Sequence, residues 1–233
     1  MLLIVGEIDS LPSKMLYWKN SKKRLKSCEG AMPKIVDEQM RNATRQRILR
    51  EAIHEFARLG FDQANINVIA EQAGIGKGTI YLYFENKQEL FLAMLRSIAQ
   101  THLAAIRAAL ATRGTLQTRL ERLFQAFMQL SREDRDSFNV HMSALYGVNR
   151  AFQEEATKLV RDYLAVISLV LEESRDAGEI QTNDIEATAL LVLSLTKSYV
   201  LSARVLGWSE HMITQQASMI AQHIINGVKT HAT

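Results

Sequence analysis

The residues Gly74-Ile75-Gly76-Lys77-Gly78 stand directly before Thr79-Ile80-Tyr81-Leu82-Tyr83-Phe84. Glycines around a lysine can cradle a phosphate, so nucleotide binding is the first chemistry to consider. A Walker-type loop requires Gly-x4-Gly-Lys-Ser/Thr, but here Lys77 precedes the last glycine and the spacing is too short. A dinucleotide Gly-x-Gly-x-x-Gly fails as well, because Thr79 stands at its last position. Both motifs also follow a strand, and the preceding "VIAEQA" has a helical pattern. Other reactive groups are scattered. Glu154-Glu155 and Glu172-Glu173 are neighbours that point in different directions on a helix. The six histidines include no i, i+4 pair, His54-Glu55 lacks the second histidine of a zinc-protease motif, and there is no Gly-x-Ser-x-Gly. Cys28 is the only cysteine, which excludes an intrachain disulfide and a cysteine metal cluster. No catalytic residue, metal site or cofactor is expected, and the chain is not expected to be an enzyme.

A tight turn between two short helices fits the glycine-rich stretch at every position. Gly74 breaks the first helix, and Gly76 or Lys77 opens the second, which ends near Phe84. Ile69, Ala70, Ile75, Ile80 and Phe84 can form a small core, leaving Lys77, Thr79, Tyr81 and Tyr83 for the outer surface. Gly76 and Gly78 keep the approach slim, so that backbone N–H groups can meet a phosphate or a base edge. Lys87 begins the following helix, where charge and helix dipole both favour a phosphate.

The elements that hold this turn are helical. From Asn42, Ile48, Ala52 and Phe56 form one apolar row and Leu49, Ile53 and Ala57 the adjoining one, with Arg45, Arg47, Arg50, Glu51 and Glu55 elsewhere. Asn42 or Thr44 can cap this helix, and Gly60 can end it. Asn65 caps the next. Asn86-Lys87-Gln88-Glu89 resembles a capping box and opens a long helix that runs to about Arg113, before Gly114. Further helices are expected at Thr115 to Leu130, Glu133 to Tyr146, Arg150 to Asp176, from about 184 to Leu206, and from Ser209 to about Val228. The last has Met212, Met219, Ile220, Ile224 and Ile225 on its apolar side. No alternating stretch competes as a strand, so the fold class is all-α.

Composition agrees. The chain is 233 residues long, 47% hydrophobic and 23% charged, with only two prolines. The net charge of +3 lies entirely in residues 1–31, which carry six Lys or Arg against three acids. That segment reads as a flexible basic arm able to add phosphate contacts, or as an over-extended start upstream of Met32. The most apolar stretch, "IEATALLVLSLTKSYVL", is interrupted by Glu186, Thr188, Ser194 and Lys197, so no membrane span is expected. "MLLIVGEIDSLP" lacks the features of a secretory signal, and a cytoplasmic location is expected.

Residues 44–95 resemble the DNA-binding domain of the tetracycline-repressor (TetR/AcrR) family of bacterial transcription regulators. The matching segments are "TRQRILREAIHEFARLGF" and "INVIAEQAGIGKGTIYLYFENKQELF". The resemblance implies an N-terminal three-helix helix-turn-helix domain over 32–95, with its motif at about 65–84. A helical effector-binding and dimerisation domain would cover 96–233. It further implies that Asn65 caps the second helix and touches phosphate, that Lys77, Gly78, Thr79, Tyr81 and Tyr83 lie on the recognition helix, and that Lys87 contacts phosphate. Gly76 stands where the family often has serine. Leu82 replaces a frequently polar residue, which reduces polar base reading or substitutes apolar contact with thymine methyls.

The resemblance also implies a homodimer through about 184–206 and 209–228, bound to a near-palindromic double-stranded operator. A small apolar or amphipathic effector would sit among the helices of 96–206, where Phe124, Phe127, Met128, His141, Met142, Tyr146, Tyr163, Thr196 and Tyr199 are candidate lining residues. The expected function is a repressor released by that effector. The alternatives are an activator or a regulator controlled by a protein partner, and a helical enzyme or ligand carrier whose helix-turn-helix is incidental.

Overall fold

The computed structural model of the chain describes residues 34–146 and 152–227; the proposed arm at 1–31 lies outside them. The described residues form eight α-helices and no strand. These are α1 (Lys34–Gln63), α2 (Ile66–Gln72), α3 (Lys87–Leu110), α4 (Leu116–Glu133), α5 (Arg135–Tyr146), α6 (Gln153–Asp176), α7 (Ile185–Val205) and α8 (Glu210–Gly227). A short 3-10 helix, Thr79–Leu82, lies between α2 and α3. From Thr44 onward the chain is one compact unit.

The helix boundaries follow from their caps. Asn65 accepts from the Asn67 N–H, Asn86 from Glu89, Thr115 from Thr118, and Asp184 from Ala187. Each side-chain oxygen satisfies an N–H that has no partner within its helix. The Glu89 carboxylate also accepts the N–H of Glu85, one residue before the cap, in a variant of the capping box. Gly60 interrupts α1 with φ 71° and ψ 175°, a conformation that a side chain disfavours. The start of α1 differs from expectation. The helix is already formed at Lys34, so neither Asn42 nor Thr44 caps it. Thr44 instead accepts a hydrogen bond from Arg47 at 3.4 Å.

Two apolar clusters share α3. Ile48, Leu49, Ala52 and Phe56 of α1 pack with Ile69 and Ala70 of α2, Ile80, Phe84, and Leu90 to Ile98 of α3. Further along the same helix, Ile106 and Leu110 join Leu120, Phe124 and Phe127 of α4, Tyr163 and Ile167 of α6, and the inner faces of α7 and α8. No loop separates the two clusters along α3.

α7 is long and apolar enough to cross a membrane by length and composition. It packs against α4, α6 and α8 and buries Thr188, Thr196 and Lys197, which is the behaviour of a core helix. Its other side leaves Leu190, Leu191, Leu201 and Val205 exposed, and Leu206 follows just beyond it. Met212 and Met219 of α8 are exposed as well, whereas Ile224 and Ile225 are buried. The two methionines therefore lie on a second apolar surface of α8, outside the core of the protomer.

Candidate nucleic-acid interface

The glycine-rich stretch folds as a tight turn with its apolar residues inside. Gly74 takes φ 68°, and the N–H of Ile75 bonds back to the Ala70 carbonyl at 3.0 Å, which closes the end of α2. Thr79 N–H bonds to Gly76 O at 2.8 Å, and Tyr83 and Phe84 N–H both reach Ile80 O. The expected α-helix over "KGTIYLYF" is thus a single 3-10 turn followed by one wider bond, too short to hold a longer helical ladder.

The turn has two faces. Ile80 and Phe84 are buried, with 1% and 3% exposure, and Ile75 is half-buried beside them. Lys77, Gly78, Tyr81 and Leu82 are exposed, Thr79 is partly exposed, and Tyr83 lies partly packed at the edge of the core. A Cβ added at Gly78 would meet no atom within 4 Å, and Gly78 has an ordinary φ of −76°. Nothing among the described residues therefore requires glycine there. Asn65 is exposed at the N-terminus of α2, on the flank of this face.

Lys87 is held in place. Its ammonium donates to the Asp62 carbonyl at 2.8 Å and lies 5.0 Å from the centre of the Phe61 ring. Only one of its three N–H groups is used by that bond, and the residue stays partly exposed. Arg45 similarly lies over Phe84, at 5.1 Å.

One residue assigned to the polar side of α1 has a different role. Glu55 is 2% exposed, and its Oε1 accepts the Asn65 N–H at 3.2 Å while Oε2 accepts from Arg58 at 2.8 Å. Burial alone would raise its pKa. The Arg58 hydrogen bond, the Asn65 N–H and the Arg58 charge together hold it below the usual carboxylate value. Glu55 thereby fixes the start of α2 against α1. The helical period gave no sign of this, because a solvated glutamate beside the apolar face looks the same in sequence.

The candidate effector residues behave mainly as core. Phe124, Phe127, Met128, His141, Tyr163, Thr196 and Tyr199 are buried, and Met142 is half-buried. The Tyr146 side chain lies outside the described residues. Tyr199 donates its hydroxyl to the Ile213 carbonyl at 2.7 Å, and Thr196 donates to Val192 at 2.7 Å, so these two hydroxyls serve packing. His141 Nε2 bonds the Tyr163 hydroxyl at 2.8 Å.

Two further members of this cluster escaped the sequence. His102 of α3 stacks edge-on against His141 at 4.7 Å, and Lys197 of α7 is buried close enough for its charge to act on His141. Burial pushes the His102 pKa down to about 4, partly opposed by Asp134. Burial, and then the charges of His102 and Lys197, push His141 well below its usual value. Both Nδ1 atoms are buried without a hydrogen-bond partner. His102 falls in the apolar row Leu95, Ile98, His102, Ile106, a position that periodicity alone treats as core.

Surface grooves flank these clusters, among them a polar one of about 1050 Å³ lined by Arg96, Glu155, Lys158 and Arg161. One of about 390 Å³ is lined by Phe56, Phe61, Phe91, Asn139 and Phe152. Another, of about 630 Å³, has an apolar wall of Leu110, Val166, Leu169 and Val170 beside Arg107, Arg119, Asp162 and Glu173. None of the eight candidate residues whose side chains are described lines any of these grooves. Among the described residues no cluster of three metal-ligating side chains occurs.

Known proteins share this arrangement. Residues 48–94 match the model for bacterial regulatory proteins of the tetR family, and residues 113–201 match that for tetracyclin repressor-like C-terminal domains. A fatty acid metabolism regulator protein of Bacillus subtilis is 25% identical over 134 residues, covering 58% of this chain and 69% of its own. A probable acrEF/envCD operon repressor of Escherichia coli K12 is 41% identical over 68 residues, covering 27% of this chain and 31% of its own. The crystal structure of the transcriptional regulator FadR from Bacillus subtilis in complex with stearoyl-CoA superposes with a TM-score of 0.68 at 20% identity, covering 78% of this chain and 98% of that one. The exposed polar turn stands where one family model matches, and the helical body stands where its companion does. The chain belongs to the tetR family and is a DNA-binding transcriptional regulator.

Proposed function

We propose that the chain is a cytoplasmic, homodimeric repressor that leaves its operator when an amphipathic acyl ligand binds the helical body. The observation that carries this reading is the two-faced turn at 77–83, whose outer side chains Lys77, Tyr81 and Leu82 stay exposed among the described residues. Asn65, Lys77, Gly78, Thr79, Tyr81, Tyr83 and Lys87 form the DNA contact set. Asn65 and Lys87 take phosphates, while the turn enters the major groove. Residues 32–95 act as the DNA-binding domain and 96–233 as the effector and dimerisation domain.

Dimerisation uses the exposed apolar residues of α7 and α8. Seven large apolar side chains from Leu190 to Met219 would otherwise remain in water. Pairing α7 and α8 with their twofold mates buries them and sets the spacing of the two turns.

The relatives suggest the ligand class: one is a fatty acid metabolism regulator and another is bound to stearoyl-CoA. The groove of about 630 Å³ suits such a ligand, with an apolar wall for an acyl chain and Arg107 and Arg119 for an anionic end, although Asp162 and Glu173 line it as well. Arg119 Nε is buried without a hydrogen-bond partner, although its guanidinium also bonds Glu173 at 2.9 Å. Ligand seated between α3, α4 and α6 would shift α3, which carries the DNA-binding core on its other end. His54 of α1 and Asp136 of α5, 2.8 Å apart, form a second link along that route.

The test is operator release. The full chain is used to select its operator from a random duplex library, and the complex is titrated with stearoyl-CoA, free stearate and coenzyme A. Release by stearoyl-CoA with a normal response lost in Arg119→Ala supports the reading. An operator complex unmoved by all three ligands rejects an acyl effector. An operator bound equally by wild type and the Lys77→Ala/Tyr83→Ala double variant rejects the contact set.

A further inference from the structure

The most exposed large apolar side chain of the DNA-facing turn is Leu82. It is 73% exposed, beside Tyr81 at 51%, while Ile80 one residue earlier is buried at 1%. A four-residue turn that has already used Ile80 and Phe84 for its core gains nothing in the free protein from a leucine on its outer side. Leu82 is flanked by groups suited to a polyanion: Lys77 and Thr79 on the same turn, Asn65 at the start of α2 and Lys87 at the start of α3. A protein partner would pay to desolvate those groups, whereas a nucleic acid pairs with them.

In the major groove the apolar group a leucine can meet is the C5-methyl of thymine. A leucine cannot donate or accept a hydrogen bond, so it cannot discriminate bases by their polar edges. We propose that Leu82 is a specificity-determining residue that reads a thymine methyl in each operator half-site. Tyr81 lies beside it, and its exposed ring extends the same apolar contact along the groove. This rests on the assignment of residues 77–83 as the DNA-facing turn.

Uracil tests the proposal, because it keeps every hydrogen-bonding group of thymine and lacks only the methyl. Full-length protein selects an operator from random duplexes, and symmetry-related thymine pairs are then replaced by uracil one pair at a time. For wild type, one such pair should weaken binding by about three- to fivefold per half-site, the scale of one buried methyl. Leu82→Ala should bind the thymine and uracil duplexes equally, and Leu82→Met should restore the preference. All three proteins should melt at the same temperature, since Leu82 touches no core. If no uracil pair distinguishes wild type from Leu82→Ala, the proposal is wrong. If Lys77→Ala/Tyr83→Ala also binds normally, the fault lies with the turn assignment; if that variant loses binding, it lies with Leu82 alone.

Discussion

Glu55 Oε1 accepts the backbone N–H of Asn65 at 3.2 Å, so a buried carboxylate of α1 holds the first residue of the helix-turn-helix. Arg58 balances its charge from the next turn of the same helix at 2.8 Å. Replacing Glu55 by alanine leaves both donors without this acceptor. The expected cost is about 1–3 kcal/mol of stability, read as a lower urea midpoint, with weaker operator binding as α2 loses its anchor. Because the folded pKa lies below the ordinary value of 4.5, this contribution is present above pH 4.5 and is lost as pH falls through the folded value. Glu55→Gln keeps an acceptor for Asn65 and should lose less stability, while removing that part of the acid dependence.

A second pH dependence comes from His102 and His141. Both have folded pKa values below the ordinary 6.5, His102 at about 4. Between those values the unfolded chain binds more protons than the folded one, so stability falls as pH drops from about 6.5 and levels off above it. Asp134 opposes the shift at His102, whereas Lys197 adds to it at His141. Unfolding free energies from urea titrations should fall by about 1 kcal/mol per pH unit or more between pH 7 and pH 5. The His102→Gln/His141→Gln double variant should show a flatter profile. A profile unchanged in the double variant would mean that these imidazoles are not the groups responsible.

Helix order and most helix ends were legible because they depend on neighbouring residues. Asn65, Asn86 and Thr115 act on N–H groups two or three positions away, and Gly60 and Gly74 act through their own backbone angles. What depended on distant residues was not legible. Glu55 and His102 occupy helical positions whose environment is set by other elements. Met212 and Met219 show a different limit: apolar periodicity marks a face that must be covered, but not whether the cover is the same chain or a second copy. The glycine-marked turn before Thr79 was legible, yet its 3-10 form depends on how soon Tyr83 and Phe84 must turn toward Asn86.

The exposed apolar surface of α7 and α8 predicts an assembly defect without a folding defect. Leu201 is exposed, so Leu201→Glu should leave the helical content and core unchanged. In a twofold dimer the substitution appears twice, each copy losing a leucine contact and burying a charge. Dimer dissociation should strengthen at least about a hundredfold on the scale of two leucine burials. Sedimentation should show a monomer where wild type is a dimer, and operator affinity should fall with it. A dimeric Leu201→Glu protein would remove this surface from the interface.

Gly78 separates the needs of the fold from those of DNA binding. Its φ of −76° is ordinary, and an added Cβ would meet nothing within 4 Å. Gly78→Ala should therefore leave stability unchanged or raise it by about 0.4–1 kcal/mol, because alanine narrows the unfolded ensemble. The proposed DNA contact predicts the opposite sign for binding, since a methyl there holds the backbone away from the groove. Operator affinity should fall by about tenfold, the equivalent of about 1.4 kcal/mol, alongside an unchanged or raised melting temperature. Gly74→Ala is the matched control. Its φ of 68° makes alanine strained, so stability and binding should fall together. Equal operator affinity for Gly78→Ala and wild type would show that the backbone at this position does not approach the DNA.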